Sequence, residues 1–200
     1  MSASAIPLVP GGHEQTWHRP SRGRVGMYCL IIGECAIFTI FVVAYVFYIG
    51  KSLNGPTPAQ VLEVPIFNTI CLLSSSVTIW LAERAIERGI LRTFGLWWAA
   101  TIALGVTFLI GTGLEWYKLI YHDGLTIRTN LFGTTFYSIV GLHATHVVVG
   151  LTMLLLVLLF TLTGHVREEH SERIQVLALY WHFVDAVWVV VFTVVYIVGR

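Results

Sequence analysis

Charge is scarce in this sequence. Only 12% of its 200 residues are Asp, Glu, Lys or Arg, while 56% are hydrophobic; an average globular chain carries about 25% charge. That shortage excludes an ordinary soluble domain, and a mean hydropathy of +0.77 points to a polytopic membrane protein. The formal net charge of +1 gives no basis for nucleic-acid binding or for an acidic partner. Cysteine is scarcer still. Cys29, Cys35 and Cys71 lie in apolar stretches without metal-type spacing, which argues against a disulfide framework and leaves them as expected small buried hydrophobes. Residues Met1 to Val25 lack the apolar centre of a signal peptide, so the first membrane helix is expected to serve as an uncleaved address. There is no internal repeat and no low-complexity segment, which weighs against a transporter built from inverted repeats.

What the chain has instead is long apolar runs. The tail 1–25 is polar, with Arg19, Arg22 and Arg24 near its end and with His13 and His18 expected to be solvated. Spans are then predicted over Gly26 to Ile49, Pro65 to Leu81, Phe94 to Leu119, Leu131 to Leu162 and Ile174 to Val198, each near the roughly 20 residues that cross a bilayer core. The fold class is therefore an all-α membrane protein, a bundle of five transmembrane helices occupying 26–200. Between spans lie a turn-rich stretch with Gly55, Pro56 and Pro58, a charged connection from Glu83 to Arg92, a polar loop from Tyr121 to Asn130, and a solvated loop with Arg167, Glu168, Glu169, Glu172 and Arg173. The short second connection makes the second and third spans antiparallel neighbours. Trp97 and Trp98 at one end of the third span, with Trp116 and Tyr117 at the other, form an aromatic-belt pattern. Lys and Arg divide eight against four in favour of the side holding the N-terminal tail, which places the N-terminus in the cytoplasm and the C-terminus outside.

A few polar residues interrupt these runs. His182 and Asp185 stand three apart in Tyr-Trp-His-Phe-Val-Asp-Ala-Val-Trp, from Tyr180 to Trp188. On a helix they share a face, so they can partner each other or one neighbour. An unpaired charge at that depth is penalised by at least about 2.5 kcal/mol, so the face should point into the bundle. Glu34 lies about 15 Å into the first span by helical rise, at a depth like that of His182 and Asp185. These three are expected to form a hydrogen-bonded core that fixes the helices and tunes proton delivery nearby. His143 and His146, also three apart, occupy the middle of the fourth span, and Glu115 lies near the outer end of the third, within reach of water. For each acid the structural reading is a carboxyl group hydrogen-bonded across helices, and the functional reading is a proton relay or substrate site. The histidines allow a further reading: His143 or His146 with His182 as axial ligands of a b-type haem in a stand-alone cytochrome. A proton or small-solute channel lined by the same layer is another.

The Tyr-Trp-His-Phe-Val-Asp-x-Val-Trp stretch, the His-x-x-His pair one span earlier and the lone glutamate of the first span together resemble subunit III of the haem-copper terminal oxidases, the cytochrome c oxidase and quinol oxidase family. The resemblance runs from Gly26 onward, and Thr126 to Gly150, with Gly133, Thr134, Phe136 and Gly141, resembles the family's pattern for the corresponding helix. Two departures stand out. His143-Ala144-Thr145-His146 replaces the family's common His-Gly-Leu-His, and the chain lacks the two leading helices of the seven-helix members, so the lipid-filled cleft they help to form is expected to be open here or completed by another subunit. The resemblance implies a non-catalytic chain without haem or copper of its own, packed beside subunits I and II that carry them. It further implies bound phospholipid, a role in aerobic electron transport coupled to proton pumping, and, from the short form, a multi-pass location in a bacterial plasma membrane. Cytochrome c is the expected electron donor of the complex and quinol the alternative. No catalytic residue and no metal ligand is assigned to this chain.

Overall fold

The computed structural model describes residues 21–52, 55–165 and 170–199. The tail with His13, His18 and Arg19, the loop residues Arg167, Glu168 and Glu169, and Arg200 lie outside the described residues. The helices are α1 (Arg22–Tyr48), the short α2 (Pro58–Val61), α3 (Ile66–Glu87), α4 (Leu91–Tyr121), α5 (Leu131–Leu162) and α6 (Ser171–Phe192), the last continuing as a π-helical turn over Thr193–Val198. Five of these are long and apolar enough to cross a membrane, with α6 counted together with its π-helical end.

The ends of the helices follow local chemistry. Ser21 Oγ accepts from the Arg24 amide at 3.3 Å, so α1 begins at Arg22, four residues before the expected span. Asn130 Oδ1 accepts from the Gly133 amide at 2.8 Å and starts α5 on its expected residue. Each cap satisfies an amide that the first turn leaves without a helical partner. The connection expected from Glu83 to Arg92 is shorter than the charges suggest. Glu83, Arg84 and Glu87 are all helical, since such side chains are good helix formers that reach past an apolar turn to water. Arg84 does so by lying over the Trp80 ring at 3.6 Å. The helix then stops in a Schellman motif, with Gly89 donating to Ile86 O and Ile90 to Ala85 O, both at 3.0 Å. This requires the positive φ of 72° that Gly89 supplies.

Helix α6 is the centre of the bundle. It packs on α1, α3 and α5, while α3 pairs most extensively with α4, and α4 with α5 in turn. Half of the most apolar 18-residue window of the last span is buried, against 11% in α1. Trp181 lets α6 reach α3, α4 and α5 at once. Its fully buried indole lies between two glycines, where added Cβ atoms would stand 2.8 Å from it at Gly105 of α4 and 2.9 Å at Gly150 of α5. Its Nε1 donates to Ser75 Oγ of α3 at 2.8 Å. Small residues let helices approach closely where the lipid supplies no hydrophobic drive between them. The cysteines are all free, but only Cys71 is buried; Cys29 and Cys35 are exposed on α1. The expectation of three buried cysteines is corrected there, because most of the α1 surface has no packing partner within this chain.

Candidate functional site

The intramembrane polar residues fall into separate groups, each held between specific helices. On α3, Ser75 and Ser76 face α6. Ser76 Oγ donates to Asp185 Oδ2 in a short hydrogen bond and lies 3.2 Å from His182 Nδ1. With Asp185 ionised, the hydroxyl gives its one proton to the carboxylate, and His182 then donates to Ser76 from Nδ1. Ser75 Oγ stands 3.4 Å from the same carboxylate oxygen. Asp185 is 3% exposed, and its Oδ1 has no partner among the described residues. His182 is placed differently. Its side chain is 36% exposed, and Nε2 faces Glu83 Oε2 at 3.7 Å. The contacts run antiparallel along α3 and α6, ending with Trp188 Nε1 donating to Thr69 Oγ1 at 3.2 Å.

Glu34 does not join this group. Its Oε2 lies 3.0 Å from His146 Nε2, across the interface between α1 and α5. His146 Nδ1 is 2.8 Å from the Leu142 carbonyl one turn back. A carbonyl can only accept, so Nδ1 carries a proton. A single further proton then lies between Nε2 and Glu34, and the pair is neutral overall whether that proton sits on the acid or on the ring. This is how the first span carries a carboxyl group without an isolated charge in lipid. Depth alone had placed Glu34 with His182 and Asp185; rotation about the axis of α1 turns it to α5 instead.

His143 is 1% exposed. Its ring lies tilted by 32° against Trp188 at 5.0 Å between centroids, with Phe108 at 5.9 Å and Phe38 at 6.5 Å. Neither ring nitrogen has a partner among the described residues. The haem reading fares poorly against this geometry. Both ring nitrogens of His146 are engaged, His143 is buried among aromatic rings, and His182 is turned towards α3. Among the described residues no group of three or more His, Cys, Asp or Glu side chains is arranged to hold a metal ion. Glu115 accepts from Tyr196 Oη at 2.9 Å, tying α4 to the π-helical end of α6.

Four partners carry no signal of their own in the sequence. Ser75 and Ser76 hold Asp185, although nothing in the second span's apolar run sets them apart from other small residues. Tyr196 reaches Glu115 only because the last helix continues past Phe192. Gln175 on α6 accepts from Arg24 of α1 and donates to Glu87 of α3 at 2.7 Å, clamping three helices at one end. A serine pair facing an acid at matched depth on a neighbouring helix is the signal that would have found the first of these.

The sequence profile of cytochrome c oxidase subunit III matches residues 10–200. A cytochrome c oxidase subunit 3 of Alkalihalophilus pseudofirmus is 32% identical over 177 residues, covering 88% of this chain and 86% of that protein. One from Sus scrofa is 35% identical over 184 residues, covering 86% of this chain and 68% of the relative. A cytochrome bo(3) ubiquinol oxidase subunit 3 of Pseudomonas aeruginosa is 29% identical over 192 residues, covering 94% and 91%. With its five apolar helices and this match across nearly its whole length, the chain is a multi-pass membrane protein belonging to the cytochrome c oxidase subunit III family of haem-copper oxidase subunits.

Proposed function

We propose that this chain is the non-catalytic third subunit of a cytochrome c-oxidising oxygen reductase in a bacterial plasma membrane. It packs beside subunits I and II, holds phospholipid against its outer surface, and keeps the catalytic subunit active while that subunit reduces oxygen and pumps protons. Haem and copper belong to the partners. Residues 1–25 form a cytoplasmic tail, 26–200 the five-helix unit, and the C-terminus lies outside. Glu34, His143, His146, His182 and Asp185 act as an intramembrane polar core, with Glu115 at the interface. The observation that carries this reading is the fate of those groups: Glu34, His146, His182 and Asp185 are tied to one another or to serines across helix interfaces, while a large apolar surface on α1 has no partner within the chain. That combination suits a bundle that is one member of a larger assembly. Cytochrome c is preferred as donor because the relatives named for it reach higher identity than those named for quinol.

The test is mild detergent purification through a tag on this chain, with an absorption spectrum and identification of co-purifying chains. Haem and copper should arrive with two larger partners, disappear when the chain is isolated, and accompany oxidation of reduced cytochrome c. Haem that stays on the isolated chain would overturn the reading. Oxidation of quinol alone would move the complex to the other branch of the family.

A further inference from the structure

Among the described residues, the hydrogen bonds around Asp185 lead out of the bundle at one end. At the mouth is a cleft of about 320 Å³ lined by Arg24, Glu83, Arg84, Glu87, Gln175 and His182. His182 is part of its wall. From there the path passes through the ring to Ser76 Oγ, 3.2 Å from Nδ1, and on to Asp185 Oδ2. Each of these groups can accept a proton on one side and give one up on the other. Beyond Asp185 no further relay group follows among the described residues. The nearest polar groups are Ser75 Oγ, hydrogen-bonded to the Leu72 carbonyl at 2.6 Å, and Trp181 Nε1, which only donates.

We propose that His182, Ser76 and Asp185 form a one-ended proton relay that loads and unloads the buried carboxylate from the cleft between α1, α3 and α6. An incoming proton binds His182 Nε2, where Glu83 stabilises the transient imidazolium. Nδ1 releases its proton to Ser76 Oγ, and the Ser76 hydroxyl proton passes to Asp185. One proton has entered and one carboxylate has been neutralised; the reverse sequence returns it to the cleft. The charged groups near the mouth are Arg24 on α1 and Glu83, Arg84 and Glu87 on α3, with His182 itself from α6. No titratable side chain of α4 or α5 lines the cleft. The free Oδ1 of Asp185 gives the loaded state a second oxygen with no competing bond among the described residues.

The experiment is infrared difference spectroscopy on the purified complex, assigning the Asp185 bands by their loss in Asp185→Asn and following them after rapid transfer to D2O and after a jump in pH. The unaltered complex should respond promptly. His182→Gln keeps hydrogen-bonding capacity but cannot pass a proton through its side chain, and should slow the response by about tenfold or more. Ser76→Ala should do the same. Asp185 bands that do not respond in the unaltered complex, or that respond equally fast in both variants, would overturn the relay. If Ser76→Ala fails to assemble, His182→Gln decides alone. The signal comes from this chain's own side chain, so the outcome is independent of which electron donor, or which enzyme, the complex proves to serve.

Discussion

At the scale of single residues, the pair formed by Glu34 and His146 is the most accessible to measurement. Interhelical hydrogen bonds in membranes average about 0.6 kcal/mol and reach about 1.7. A double-mutant cycle on Glu34→Ala and His146→Ala, read by thermal unfolding of the complex, should give a coupling energy in that range. Glu34→Gln behaves differently, because its amide can still donate to Nε2 at the 3.0 Å separation seen here. Its stability should stay close to that of the parent. If Glu34 also tunes proton delivery, turnover or its persistence falls in this variant although stability does not; unchanged values for both remove the tuning role and leave a structural pair.

At the scale of elements, the slot for Trp181 makes two glycine substitutions diverge in sign. Gly150→Ala places a methyl group 2.9 Å from one face of an indole whose other side already meets the Gly105 position. The ring is enclosed by α4 and α5 and cannot yield, so a loss of about 1–3 kcal/mol is expected from overpacking. Gly113, also on α4, has nothing within 4 Å of its added Cβ. Gly113→Ala should be neutral or stabilising by up to about 1 kcal/mol through helix propensity. Melting temperatures of the two variants in the same detergent compare them directly.

The helices themselves were legible because an apolar run long enough to span a bilayer has few other solutions. Their boundaries were less so. The helical charges of Glu83 to Glu87 and the start of α1 at Arg22 rest on reach and capping, which hydropathy does not register. The polar partners depend on how each helix is turned about its axis, which residue number does not carry. Residue number fixes how deep Glu34, His182 and Asp185 lie, whereas the neighbour each one faces depends on how the helices are rotated and ordered. That is why Ser76 and His146, both visible in the sequence, were not matched to their acids. The short α2 and the π-helical end of α6 carry no periodic signal of their own. The latter rests on tertiary contacts at Tyr45 and Tyr196, including the Tyr45 hydroxyl donating to the Val195 carbonyl at 3.5 Å.

At the scale of the whole molecule, topology and assembly follow from the distribution of charge and burial. In the proposed orientation an odd number of spans puts the termini on opposite sides of the membrane, with the basic excess on the cytoplasmic, N-terminal side. Alkaline phosphatase fused after Gly199 should be active in a bacterial host, and the same enzyme fused in the turn at Gly89 inactive. The reverse pattern would invert the proposed orientation and move the mouth of the Asp185 relay to the outer side.

The central place of α6 also sets an order for biosynthesis. The ribosome makes α6 after α1, α3, α4 and α5, so the groove that receives Trp181 exists before the indole does. Until that helix arrives, Ser75 and Ser76 face a gap with no acid to hold, and the close approach prepared by Gly105 and Gly150 is empty. A chain halted before Ser171 would therefore leave the two serines and the two glycines without the helix they are shaped to receive.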